Sequence, residues 1–253
     1  MIYFGMTDIG KLRKGNQDSF GIYEIAENAR LFAVCDGMGG AAGGAEASRL
    51  ALEAFSGEMK DICASKISEG KLDISKLDIP LVLGNAAGAA NKAVFKAAGE
   101  NPELSGMGTT LVALFFADGL AFSINVGDSR MYRISGDNIE QITHDHSYVQ
   151  YLVDMGKMTP EEAKASTNRN IIMRAVGTHE ETEADIKQIE MGEGAKDTYF
   201  LLCSDGLTGV VSDEEIAKTV ASELDIKEKV GGLIENANKN GGPDNITAVL
   251  VKI

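Results

Sequence analysis

Tryptophan is absent from the 253 residues, and aromatic side chains make up only 6% of them, so the core must be largely aliphatic. Cysteine occurs three times, as Cys35, Cys63 and Cys203, widely spaced and never in a CxxC pair. That excludes a disulfide framework and a thiolate zinc site, and it predicts reduced thiols in a cytoplasmic protein. Basic residues are in the minority: 24 Lys and Arg stand against 38 Asp and Glu, a formal net charge of −14. Such a chain repels phosphate backbones, so no nucleic-acid partner is expected. There is no uninterrupted apolar run long enough for a membrane span. The start, MIYFGMTDIG, has no basic region followed by a long apolar segment, so no secretory signal is read there. A GxxxxGK[ST] loop, a GxSxG elbow and an EF-hand spacing are all missing, which sets aside P-loop nucleotidases, α/β-hydrolases and calcium loops.

What is present is a 44% hydrophobic chain, ample for one large core, and residues 1–253 read as a single domain. Strand-like runs fall at 2–7, 20–25, 31–35, 110–116, 119–126, 130–134, 198–203 and 246–251. Helical periodicity is seen over 45–59, with Ala47, Leu50, Ala51, Ala54 and Phe55 on one face. It recurs over 80–98, with Leu83, Ala86, Ala87, Ala90 and Val94 inward, and over 225–240. Two capping boxes, Thr159 to Glu162 and Ser212 to Glu215, open short helices. Adjacent strands are joined by turns such as FADG and SGDN, too short for anything but antiparallel pairing. The segments 60–79 and 145–169 read as surface excursions.

The acids carry the functional signal. Asp36, Asp128 and Asp205 each end an apolar run, in VCDG, NVGD and LLCSDG, while Asp18 and Asp244 each precede one. Singly, each reads as a turn aspartate. As a set they do not, because carboxylates behind buried strands are costly without a cation. An all-oxygen set with no imidazole or thiolate cluster suits Mg²⁺, Mn²⁺ or Ca²⁺ rather than zinc, and so many acids can serve more than one ion. A paired-metal site activates water against an anionic ester, which suggests phosphoester hydrolysis. Arg13, five residues before Asp18, is then a candidate phosphate ligand. His144 and His146 lack a third imidazole and read as loop or cap residues, and His179 reads as exposed.

Eight stretches in order, RKGNQDS (13–19), VCDGMGG (34–40), GMGTTL (106–111), NVGDSRMYR (125–133), ITHDHSYVQYLVDMGKMTPEEA (142–163), NIIMRAVG (170–177), LLCSDGL (201–207) and GPDNITAVLV (242–251), resemble the bacterial type 2C metal-dependent serine/threonine protein phosphatases. The resemblance implies an α+β fold: a four-layer α/β/β/α sandwich of two antiparallel sheets flanked by helices. It implies that Asp36 bridges two Mn²⁺ or Mg²⁺ ions with help from the Gly37 carbonyl, and that Asp205 and Asp244 complete one shell. Asp18 would hold metal-bound waters, Asp128 with Asp205 would take a weaker third ion, and Arg13 would grip the phosphate. A hydroxide bridging the ions would attack phosphorus with no phosphoenzyme. Asn245 would orient Asp244, and a flap at about 156–170 would influence substrate choice. The implied partners are phosphorylated proteins, targets of a cognate Ser/Thr kinase, met by a cytoplasmic monomer. Gln17, Ala41 and the flap end ASTNRN depart from patterns common in that family, and Met38, usual in bacterial members, stands where eukaryotic members carry a His. A catalytically silent phosphoprotein-binding module and a small-ester phosphatase are the rival readings.

Overall fold

The computed structural model describes residues 1–191 and 198–253, with Ala41 by its backbone alone, so the departure at that side chain lies outside the described residues. In chain order the elements are β1 (Ile2–Asp8), β2 (Asp18–Ala26), β3 (Ala29–Met38), α1 (Gly40–Ala64), β4 (Ile67–Ser68), β5 (Lys71–Leu72), α2 (Ile79–Glu100), β6 (Gly108–Thr109), β7 (Leu111–Ala117), β8 (Leu120–Val126), β9 (Arg130–Ser135), β10 (Asn138–Gln141), α3 (Tyr148–Asp154), α4 (Pro160–Ala165), β11 (Asp185–Ile189), β12 (Thr198–Cys203), α5 (Asp205–Thr208), α6 (Asp213–Ala221), α7 (Ile226–Lys239) and β13 (Ile246–Lys252). Every strand pairing among them is antiparallel. One sheet runs β1-β13-β12-β9-β10 and the other β11-β8-β7-β3-β2, with β6 added beside the end of β3.

The central strands are covered on both faces, which is why they read as unbroken apolar runs rather than alternating ones. Side chains still alternate by position. In β3, Phe32 and Val34 meet Phe200, Leu202, Val249 and Val251 between the sheets, whereas Leu31, Ala33 and Cys35 turn outward under α1 and α2. In β12 and β13, Leu201, Cys203, Ala248 and Leu250 face α5, α6 and α7. Three apolar layers therefore separate four layers of structure, in the order helix, sheet, sheet, helix. Each large side chain fully withdrawn in these layers contributes about 1.5–3 kcal/mol.

The helices begin where their caps dictate. Asp78 accepts from the Leu81 amide with Pro80 in the first turn of α2, and reciprocal capping boxes open α4, α6 and α7. Helix α1 starts five residues before the periodicity begins, through Gly40, Gly43 and Gly44. Glycine is a poor helix former, so propensity hides this turn. Packing demands it, because a Cβ on Gly37 would run into the Gly44 carbonyl. Strands β10 and β11 also lie outside the expected elements. The two strands edge their sheets and carry polar, exposed residues, so neither period nor hydrophobicity marks them. The 60–79 excursion is the end of α1 and a β4–β5 hairpin, and the 145–169 excursion holds α3 and α4. No helix among the described residues is long and apolar enough to cross a membrane.

Candidate metal and phosphate site

Antiparallel topology sends the acid-bearing strand ends to one end of the sandwich. The start of β2 lies opposite the end of β3, where Asp18 pairs in register with Asp36. The end of β1 faces the start of β13, and the end of β12 faces the starts of β9 and β13. Asp128 sits in the turn from β8 to β9, Asp205 opens α5 directly after β12, and Asp244 precedes β13. All five aspartates and Arg13 thus meet, as the sequence leads one to expect.

Two carboxylates directly opposite in a ladder repel each other, and here three more stand around them. Asp36 is driven well above the ordinary carboxylate range, first by burial and then by Asp18, Asp205, Asp128 and Asp244. Asp205 is raised by burial and by Asp244, although Asp36 within hydrogen-bonding reach, Arg13 and Arg130 oppose the shift. Both side chains are hemmed in by protein yet keep part of their surface in water, and that contact tempers the burial. Asp128 is pushed up to about 8, chiefly by burial, then by Asp205 and Asp145. Asp18 rises to about 6 for the same first reason, even though Ser204 and Thr247 each donate a 2.7 Å hydrogen bond to its Oδ2.

Oδ1 of Asp18 and Oδ1 of Asp128 are buried without a hydrogen-bond partner. Buried polar atoms are almost always satisfied, so two orphans on acids that both act on Asp36 mark a demand for positive charge that the chain does not meet. No three acidic, histidine or cysteine side chains among the described residues converge closely enough to enclose an ion as they stand. Two guanidiniums act on the acids: Arg13 donates to Oδ2 of Asp244 at 2.6 Å with its own side chain 47% exposed, and Arg130 lowers the pKa of Asp128 and Asp205 while bound to Asp145. The oxygen-only donor set, the orphaned atoms and the raised carboxyls together fit hard divalent cations.

Several supporting contacts come from residues the sequence did not single out. Asn245 was expected to orient Asp244 and its strand. Its side chain fastens the Arg13 loop: Oδ1 accepts from the Gln17 amide at 2.8 Å, and Nδ2 donates to the Ile9 and Gly15 carbonyls at 2.9 and 3.0 Å. Asp244 is held by the Asn245 backbone amide. The Asp36 amide donates to Thr110 Oγ1 at 2.9 Å, and Thr110 in turn bonds Ser129 beside Asp128. Gln17 donates through Nε2 to the Gly40 carbonyl, stitching the Arg13 loop to the start of α1. Polar Ser204 and Thr247 inside otherwise apolar runs were the available sequence signal. His144 is exposed and bonds Asp154, His146 is buried, and His179 is exposed.

The protein phosphatase 2C family model matches residues 12–250. The serine/threonine protein phosphatase PstP of Mycobacterium tuberculosis is 38% identical over 251 residues, covering 99% of this chain and 45% of that protein, so the chain spans less than half of that relative's length. The serine/threonine phosphatase Stp of Listeria welshimeri is 36% identical over 97% of this chain and 93% of its own. A crystal structure of the PstP catalytic domain in complex with two manganese ions superposes with a TM-score of 0.78 at 37% identity, covering 98% of this chain and 96% of that one. Sandwich, site and sequence therefore agree, and the chain belongs to the protein phosphatase 2C family.

Proposed function

We propose that this chain, as one catalytic domain over residues 1–253, hydrolyses phosphoserine and phosphothreonine in proteins with two Mn²⁺ or Mg²⁺ ions and a weaker third. The observation that carries the reading is the gathering of Asp18, Asp36, Asp128, Asp205 and Asp244, with orphaned oxygens on Asp18 and Asp128 and with Arg13 on Asp244. The manganese-bearing PstP domain supports it. Bound there, the ions supply charge against the phosphoryl oxygens and water that ionises near neutral pH.

The residues divide the remaining work. Asp36, the Gly37 carbonyl, Asp205 and Asp244 would hold the two ions. Asp18, its Oδ2 tied down by Ser204 and Thr247, would use Oδ1 to position water. Asp128 and Asp205 would hold the weaker ion. Arg13 can turn its planar fork to a phosphate once Asp244 has another cation for a partner. Two side chains near the acids are withdrawn from covalent attack: Ser204 Oγ is committed to Asp18, and burial holds the Cys35 thiol protonated, far above its ordinary range. Water is the attacking group in this reading, without a phosphoenzyme. The 156–170 segment acts as a flap over substrates supplied by a cognate kinase, in a cytoplasmic monomer.

Phosphate release from a phosphothreonine peptide, after chelator treatment and return of Mn²⁺ or Mg²⁺, tests the proposal alongside Asp205→Asn. Activity should return with metal and vanish in the variant. A folded wild-type protein that releases no phosphate with either metal would overturn it.

A further inference from the structure

The ITHDHS stretch around His146 has no part in the roles assigned so far, yet it touches the turn that carries Asp128 on both sides. Asp145 accepts three N–H contacts from Arg130, at 2.6 to 3.0 Å, two residues after Asp128. His146 holds Gly127, the residue before Asp128, by both of its backbone groups. The His146 amide donates to the Gly127 carbonyl at 2.9 Å, and the Gly127 amide donates to His146 Nδ1 at 3.1 Å. Gly127 adopts φ +110, and a Cβ there would lie 2.6 Å from Thr110 Cγ2, so this turn has no slack in which to settle elsewhere.

The same residue is the footing of the 148–171 excursion. Its carbonyl accepts from the Met173 amide at 2.8 Å, the Tyr148 amide donates to Ile171, and Ser147 bridges Ile172. The ring is buried, and its Nε2 lies 3.2 Å from Asp185 Oδ2 on β11. Because Nδ1 accepts from Gly127, the proton of the neutral ring is assigned to Nε2, which faces Asp185 with Arg174 Nη1 also 3.2 Å away. Arg174 donates to the other oxygen of Asp185 at 2.9 Å. His146 thus spans three pieces of structure: its ring joins the Asp128 turn to the first residue of β11, and its backbone carbonyl holds the base of the excursion.

We propose that His146 is a positioning residue that locks the Asp128 turn to the base of the 148–171 excursion, so that the aim of the Asp128 carboxylate and the seating of the excursion are set together. The functional half of this claim rests on Asp128 serving the weaker ion. The structural half rests on the contacts alone.

Two variants separate the ends of the ring. In His146→Asn, Oδ1 falls where Nδ1 was and can accept from Gly127, while the Asp185 contact is lost. In His146→Gln, the amide reaches Asp185 and the Gly127 acceptor is lost. In the metal-free protein, amide hydrogen exchange at Gly127 should quicken about tenfold or more in His146→Gln, and Tyr148 and Met173 should follow it, while His146→Asn stays close to wild type. In calorimetric Mn²⁺ titrations, the weakest-bound ion should lose about tenfold in affinity in His146→Gln only, the range typical of residues that orient ligands, with the tighter ions unchanged. Equal protection of Gly127 in all three proteins, or equal loosening in both variants, would overturn the proposal. If wild type takes up no Mn²⁺, the cation reading of the site fails, and the exchange data still decide whether His146 is the lock.

Discussion

Asp128 and Asp145 are almost equally withdrawn from water, at 7% and 8% exposure, and both lie within two chain contacts of Arg130. Asp145 takes the Arg130 fork and a further 2.7 Å bond from Gln141, so its burial is answered inside the chain. Asp128 has one oxygen with no partner and a proton held to about pH 8. Burial alone therefore does not distinguish a structural acid from one left unsatisfied. What distinguishes them is whether the chain itself supplies the opposing charge.

The largest effect expected from this contrast is at the acid with most neighbours. Asp36→Ala should cut metal-dependent phosphate release at least about a thousandfold, since charge stabilisation by a metal is worth several kcal/mol. Its thermal unfolding without metal should be no worse than wild type, because the substitution removes a buried charge that repels four others. An active, metal-responsive Asp36→Ala protein would break the comparison at its strongest point.

On the answered side, Arg130→Met should cost about 3–5 kcal/mol in urea unfolding, because it leaves Asp145 buried and unpaired. The Tyr132 hydroxyl, which bonds both Arg130 and Asp213, would lose a partner too. A stability loss well below that range would mean that Asp145 finds other donors, and the two acids would no longer differ in kind.

The smallest effect sharpens the contrast with pH. Asp18 and Asp128 have folded-state pKa values of about 6 and about 8, above the ordinary 3.8. A raised pKa favours the fold while the group is protonated, so their contribution is full below about pH 4 and drains away as pH climbs through 6 and 8. Chelator-treated protein should melt at a higher temperature at pH 5 than at pH 8, and Mn²⁺ should narrow the gap. An opposite slope in the metal-free protein would show that these acids are satisfied after all.

Asp36, Asp128 and Asp205 were legible because each ends an apolar run, where an acid has no reason to be on packing grounds. The antiparallel sheets were legible from short turns, and most strand and helix centres from periodicity. The contacts that make the acids a site were not. Ser204, Thr247, Thr110 and Asn245 are small polar residues whose meaning depends on which strands become neighbours, and register is a property of the fold rather than of any local window. The edge strands and the glycine-led start of α1 escaped for a different reason. There tertiary packing overrides local preference.

The pairing of β1 with β13, Ile2 opposite Lys252, has a consequence in time as well as space. The Arg13 loop hangs from β1 and is fastened by Asn245, so β1 and β13 must meet before Arg13 faces Asp244. Contacts this distant along the chain close slowly, after local hairpins and helices have formed. A ribosome extending the chain N-terminus first has made nearly all of the sandwich before Asp244 emerges. The nascent protein is thus built with its chemistry switched off, and the site is completed by the final strand.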